Sequence, residues 1–120
     1  MHKSVNIKEK FKDFDTHWSP KILGQINDSY VKIFKAKGEF VWHKHELDDE
    51  FFLVIEGELH IKFRDGEVLL KEGEFYIVPK GVEHLPYAPK QAHVLLFENK
   101  QVINTGDAAS DKTIKDLEWI

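Results

Sequence analysis

His43 and His45 stand two residues apart, directly after the apolar pair Val41-Trp42. In an extended strand, residues i and i+2 face the same side, so two such imidazoles can aim at one atom. A helix does not place an i,i+2 pair so well. Glu50 opens the next apolar run and offers a carboxylate, and His84 follows the turn sequence Pro79-Lys80-Gly81. Imidazole suits zinc, copper, iron and nickel, and a carboxylate adds tolerance for manganese. Taken alone, the His-x-His pair reads more readily as surface or hydrogen-bonded structural histidines. His2, His17 and His60 are read that way. Asp48 and Asp49 compete with Glu50 as carboxylates and are read as loop residues.

Other chemistries find little support. The 120-residue chain has no cysteine, which removes disulfides and thiolate ligands, so any metal must use nitrogen and oxygen. The net charge is −4, the lysines are scattered and Arg64 is the only arginine, so no basic face for nucleic acid is expected. No apolar run approaches the roughly 18 residues that span a bilayer, and Met1 to Lys12 is too polar for a secretory signal. The expected setting is cytoplasmic, by default. No serine-type nucleophile with its base and no glycine-rich phosphate loop are evident.

Those side chains need elements to position them. Hydrophobic residues make up 42% of the chain, enough for a core, and the length suits one domain over residues 1–120. Short runs separated by turns predict strands at Ser29 to Ala36, Phe51 to Ile55, Glu58 to Phe63, Val68 to Leu70, Phe75 to Val78 and Ala92 to Phe97. Phe51 to Ile55 suits a strand buried on both faces. Glu56-Gly57 reads as a hairpin turn, and Asp65-Gly66 as a type I′ hairpin needing positive φ. Short helices are expected at Asn6 to Phe14 and Thr113 to Trp119, the second capped by Asp111. The fold class is all-β.

The spacing Gly38-x4-His43-x-His45-x4-Glu50-x6-Gly57 resembles the first motif of the cupin family, with one residue fewer than usual before the first histidine. Gly73-x5-Pro79-x-Gly81-x2-His84 resembles the second. Where that motif usually carries asparagine this chain has Ala88, which removes a polar group near the expected barrel mouth. The resemblance implies a cupin-type double-stranded β-helix, a jelly-roll barrel, with short terminal helices. It also implies one divalent metal (Fe, Mn, Zn or Ni) held by His43, His45, Glu50 and His84, that is, by three neutral imidazoles and one carboxylate.

Four protein ligands on an octahedral ion leave two open positions, as a catalytic site requires. A small oxygen-rich molecule could chelate there. Isomerase-type and dioxygenase-type chemistry share this ligand set. A phosphosugar would want an arginine clamp, and Arg64 sits at a hairpin tip beside Asp65. The alternative is a non-catalytic module that binds or senses a small molecule. His93, in phase with Leu95 and Phe97, is expected inside the barrel, as a core histidine or a substrate contact. Tyr76 and Tyr87 are candidate proton donors at the mouth, or packing aromatics. Strand parity would turn Val41 inward and Phe40 and Trp42 outward, onto a covered surface such as a homodimer interface. Leu117, Trp119 and Ile120 are expected to dock on the barrel or on a partner.

Overall fold

The computed structural model describes residues 2–120. A short helix α1 (Ile7–Lys10), capped by the Asn6 side chain, runs into a 3-10 turn at Phe11–Asp13. Eight strands follow: β1 (Lys21–Ile26), β2 (Ser29–Glu39), β3 (Glu50–Glu56), β4 (Leu59–Phe63), β5 (Gly66–Leu70), β6 (Phe75–Val78), β7 (Leu85–Asn99) and β8 (Glu118–Trp119). The main path runs β5-β4-β7-β2-β1-β8, with β3 joining β7 to β6.

The long strand β7 organises the sheet. One edge pairs along β2 from Ser29↔Asn99 to Glu39↔Tyr87. The other edge is shared: β4 takes its start (His60↔Tyr87) and β3 its end (Phe51↔Phe97). Glu56-Gly57 is therefore a corner between two strands on one edge, not a hairpin. Gly57 has φ 83, and a Cβ there would lie 2.8 Å from the Gln91 carbonyl of β7. Only glycine lets the corner pack this closely.

Several expectations are corrected. The sheet pairings among the described residues do not close a barrel: β6 pairs only with β3, and β5 only with β4. The β4–β5 hairpin exists, but its loop is Arg64-Asp65, because Phe63 pairs with Gly66. Gly66 is not among the positive-φ residues. The positive-φ hairpin lies elsewhere, at Asn27 (φ 50) between β1 and β2. No helix forms over Thr113 to Trp119. Glu118 and Trp119 instead add a parallel strand beside Lys21 and Ile22, where backbone pairing to β1 outweighs weak helical preference. The chain's end thus docks on the sheet at β1: the Ile120 N–H donates to the Ile22 carbonyl at 3.0 Å, and Trp119 meets Tyr30 edge-on.

Alternation along the strands sorts two faces. Phe34, Ala36, Phe52, Val54, Leu59, Ile61, Val94 and Leu96 fill the inner core. Residues between them face outward. In β3, Phe52 and Val54 are buried while Phe51, Leu53 and Ile55 are half-buried, so only one face of that strand is fully covered. Phe11 covers part of the outer face, stacked on His93 at 4.3 Å. Ala88 is fully buried in the core, so the departure from the motif deepens the apolar interior instead of opening a mouth. Among the described residues, no helix is long and apolar enough to cross a membrane.

Candidate metal centre

His43 and His45 lie on an irregular segment, not on a strand. His43 is placed by a single antiparallel bridge: its N–H donates to the His84 carbonyl at 3.0 Å, and the His84 N–H returns a bond to His43 at 2.9 Å. Glu50 enters through β3, opposite Val78. The Gly81 N–H donates to the His45 carbonyl at 2.8 Å, and the Lys80 N–H to Asp49 Oδ1 at 2.9 Å. The loop before Glu50 and the turn before His84 are thereby locked together. Asp49 spends its carboxylate on that lock.

The ring orientations have a common device. His43 Nδ1 lies 2.8 Å from the Val41 carbonyl, and His84 Nδ1 lies 2.9 Å from the Val82 carbonyl. A carbonyl only accepts, so each Nδ1 carries the proton and each Nε2 turns a lone pair inward. Phe40 and Phe52 meet the His43 and His84 rings edge-on. His43, His45, Glu50 and His84 bring one donor atom each to within 4.8 Å of one another, all from buried residues.

Glu50 stands between the rings. Its Oε1 is 3.1 Å from His84 Nε2 and its Oε2 is 3.3 Å from His45 Nε2. The His45 Nε2 is buried and makes no hydrogen bond. A neutral His84 therefore points a lone pair at a carboxylate oxygen, an arrangement that a cation makes favourable. The nitrogen and oxygen donors fit a divalent transition metal.

Electrostatics keep the donors ready. Burial, reinforced by His84, lowers the His43 pKa to about 4. Burial pushes Glu50 up, but the His45 and His84 imidazoles at its two oxygens outweigh it and hold the carboxyl below its usual range. Next to Glu50 lies a second buried carboxyl, Glu98, with Lys32 3.8 Å away. Burial and the Glu50 charge raise the Glu98 pKa, against the pull of Lys32.

Beside His43 and Glu50 opens a narrow cleft. Trp18, Phe34, Phe40, Phe52 and Leu96 form its apolar wall, with Asn104 at one side. Trp18 holds a left-handed backbone, φ 55, rare for a bulky residue and costing roughly 1–3 kcal/mol. Bonds from its backbone N–H to the Lys35 carbonyl (2.8 Å) and from its indole to the Lys37 carbonyl (3.0 Å) secure it. The ring stacks on Phe34 and Phe40.

A strap from the C-terminal region closes over this end. The Lys44 N–H donates to Asp107 Oδ1 at 2.9 Å, and the Asp107 N–H to the Lys44 carbonyl at 3.2 Å. At Gly106 a Cβ would fall 2.3 Å from the Lys44 carbonyl oxygen and 3.2 Å from His43 Cδ2. The strap is stapled internally by Asn104, which bonds Lys112 and Ile114, and by Thr105 with Thr113.

The remaining candidates lie elsewhere. His93 is on the outer face, under Phe11 and 3.2 Å from Glu56, because the inner phase of β7 belongs to Ala92, Val94, Leu96 and Glu98. It is neither in the interior nor at the cleft. Tyr87 is outside as well, stacked on His60. Tyr76 packs with Phe63 against the core and does not line the cleft. Phe40 is buried in the site and not on an outer surface, since strand parity fails where no strand forms. Trp42 is half-buried beneath Arg64, whose guanidinium lies 3.8 Å from the ring centre and forks onto Glu83. Sequence reasoning passed over Trp18, Asn104, Gly106, Lys32 and Glu98. Only Glu98 carried a signal, two places beyond Leu96 in the inward phase.

The family model for the cupin domain matches residues 30–98, which include both histidine motifs. This chain belongs to the cupin family. A cupin-2 domain protein of Shewanella frigidimarina has a crystal structure 45% identical in sequence, with a TM-score of 0.79, covering 80% of this chain and 94% of the other. The uncharacterised protein YdbB of Bacillus subtilis is 35% identical over 96 residues, 79% of each chain. A 3-hydroxyanthranilate 3,4-dioxygenase of Jannaschia is 35% identical over 65 residues, 50% of this cupin but only 36% of that enzyme.

Proposed function

We propose that this cupin is a metal-dependent enzyme of dioxygenase type. Its substrate is a small, flat, largely apolar molecule with two neighbouring oxygens. One observation carries the reading: the cleft beside His43 and Glu50 is walled by aromatic and aliphatic side chains, and no lysine or arginine lines it. An isomerase acting on a phosphosugar would want a cationic clamp, but Arg64 is committed to Glu83 and Trp42 outside the cleft. The similarity to an enzyme named for an aromatic substrate points the same way.

His43, His45, Glu50 and His84 would hold the divalent ion. Bound there, the ion would polarise two substrate oxygens and, as iron, supply oxygen chemistry. Trp18, Phe40 and Phe52 would hold the substrate plane and exclude water. The Val41 and Val82 carbonyls keep the Nδ1 protons of His43 and His84, so those rings stay ligands and do not act as bases.

The expected homodimer remains part of this proposal, with a different surface. Phe75 and Ile77 of edge strand β6 are exposed, and Phe51 stacks on Phe75 beside them. A two-fold pairing of β6 with its copy would continue the sheet and cover these side chains.

The test is oxygen uptake by protein loaded anaerobically with ferrous iron, across a panel of catechols, 2-aminophenols and 1,2-diketones. One O2 consumed per substrate, with both atoms in the product, is the expected result. Metal and ligand bound without turnover would favour the binding module. A protein that takes up no metal would sink the reading.

A further inference from the structure

The inner face of the sheet ends in charge. Along β7 the inward residues run Ala92, Val94, Leu96, Glu98, and along β2 they include Ala36, Phe34 and Lys32. Lys32 is 2% exposed and Glu98 3%. Their charged atoms are 3.8 Å apart, and Glu98 Oε2 is buried with no hydrogen-bond partner of its own. Burying such a pair costs several kcal/mol per ion, and replacement by apolar residues is often neutral or stabilising. Fold stability alone gives little reason for it.

Its location does. The register that sets Phe51 opposite Phe97 carries Glu50 to the level of Glu98, and both side chains are buried on the inner face. Glu50 already faces His84 with one oxygen and His45 with the other. Glu98 therefore stands beside the one carboxylate of the donor set on the neighbouring strand, with Lys32 3.8 Å from it. Groups that touch metal ligands orient them and tune their donor strength.

We infer that Glu98 is a positioning residue of the metal centre, fixed by Lys32, that sets the orientation of Glu50. This rests on the reading that the four donors hold a divalent ion. The pair aligns the Glu50 oxygens with the Nε2 atoms of His45 and His84 and limits their freedom to turn away.

The test uses Co2+ as the probe, in wild type, Glu98→Gln and the double variant Lys32→Met/Glu98→Gln. The double variant leaves no orphaned buried charge, so it keeps its fold if the single one does not. Calorimetric titration should show cobalt binding weakened about 10-fold or more in the double variant. The visible absorption bands of the bound cobalt should shift, while the metal-free double variant melts within a few degrees of wild type. Unchanged affinity and unchanged bands in the double variant would overturn the inference and leave the pair purely structural. Wild type that binds no cobalt would overturn the metal reading itself, and this one with it.

Discussion

The two faces of one sheet carry histidines beside carboxylates at nearly the same distances. Inside, His84 lies 3.1 Å from Glu50; outside, His60 lies 2.8 Å from Glu67 and His93 3.2 Å from Glu56. By pair distance alone the outer contacts are as good. The inner group differs in three ways: three rings converge on one carboxylate, two of the rings are pinned through Nδ1, and all four residues are buried. His60 and His93 each meet one carboxylate on a half-exposed surface, where such pairs contribute little. A metal site is made by convergence and desolvation. Proximity of a histidine to an acid does not suffice.

The sharpest way to break this comparison is to remove histidines from either face. His43→Ala with His84→Ala should abolish metal uptake, measured by elemental analysis of protein purified without chelator. His60→Ala with His93→Ala should leave the metal-to-chain ratio at the wild-type value. Equal loss in both double variants would show that convergence is not the deciding feature.

Acid should expose the same contrast in the metal-free protein. His43 is held at about 4 in the fold against 6.5 in the unfolded chain. Between those values the unfolded state binds a proton that the folded state refuses, so stability falls as pH falls through this window. The size is at most about 3 kcal/mol. Glu50, with its carboxyl depressed, contributes in the same direction at lower pH. Melting temperature followed from pH 7 to pH 4 should drop steeply in wild type and less in His43→Gln. Parallel curves for the two proteins would refute this assignment.

The smallest effect on the fold is expected at the outer apolar patch. Phe75→Glu with Ile77→Lys alters exposed side chains, so folding stability should change by about 0.5 kcal/mol or less per site. Light scattering should nevertheless show a dimer in wild type and a monomer in the variant. Identical masses would remove this face as the interface.

The spacing of His43, His45, Glu50 and His84 and of the glycines and proline between them was enough to read the fold family, and to single out four residues that the fold brings together, from the chain alone. Turn glycines and liganding side chains are local requirements, written at fixed intervals. Strand parity was equally legible where polar and apolar residues alternate, as at Leu59 and Ile61; the continuous apolar run Phe51 to Ile55 reads as buried on both faces, whereas only Phe52 and Val54 face the core. Parity failed at Phe40, where the chain leaves the sheet, and at His93, where a phase taken from Leu95 and Phe97 was assigned to the wrong face. A period of two says which residues share a side; it does not say which side is covered. That choice depends on what packs there, and for His93 it is Phe11, more than eighty positions away in the chain. The same holds for Trp18 as a wall of the cleft, Gly106 against Lys44, and Lys32 beside Glu98. Each depends on a contact between distant segments, and only the folded chain brings those segments together.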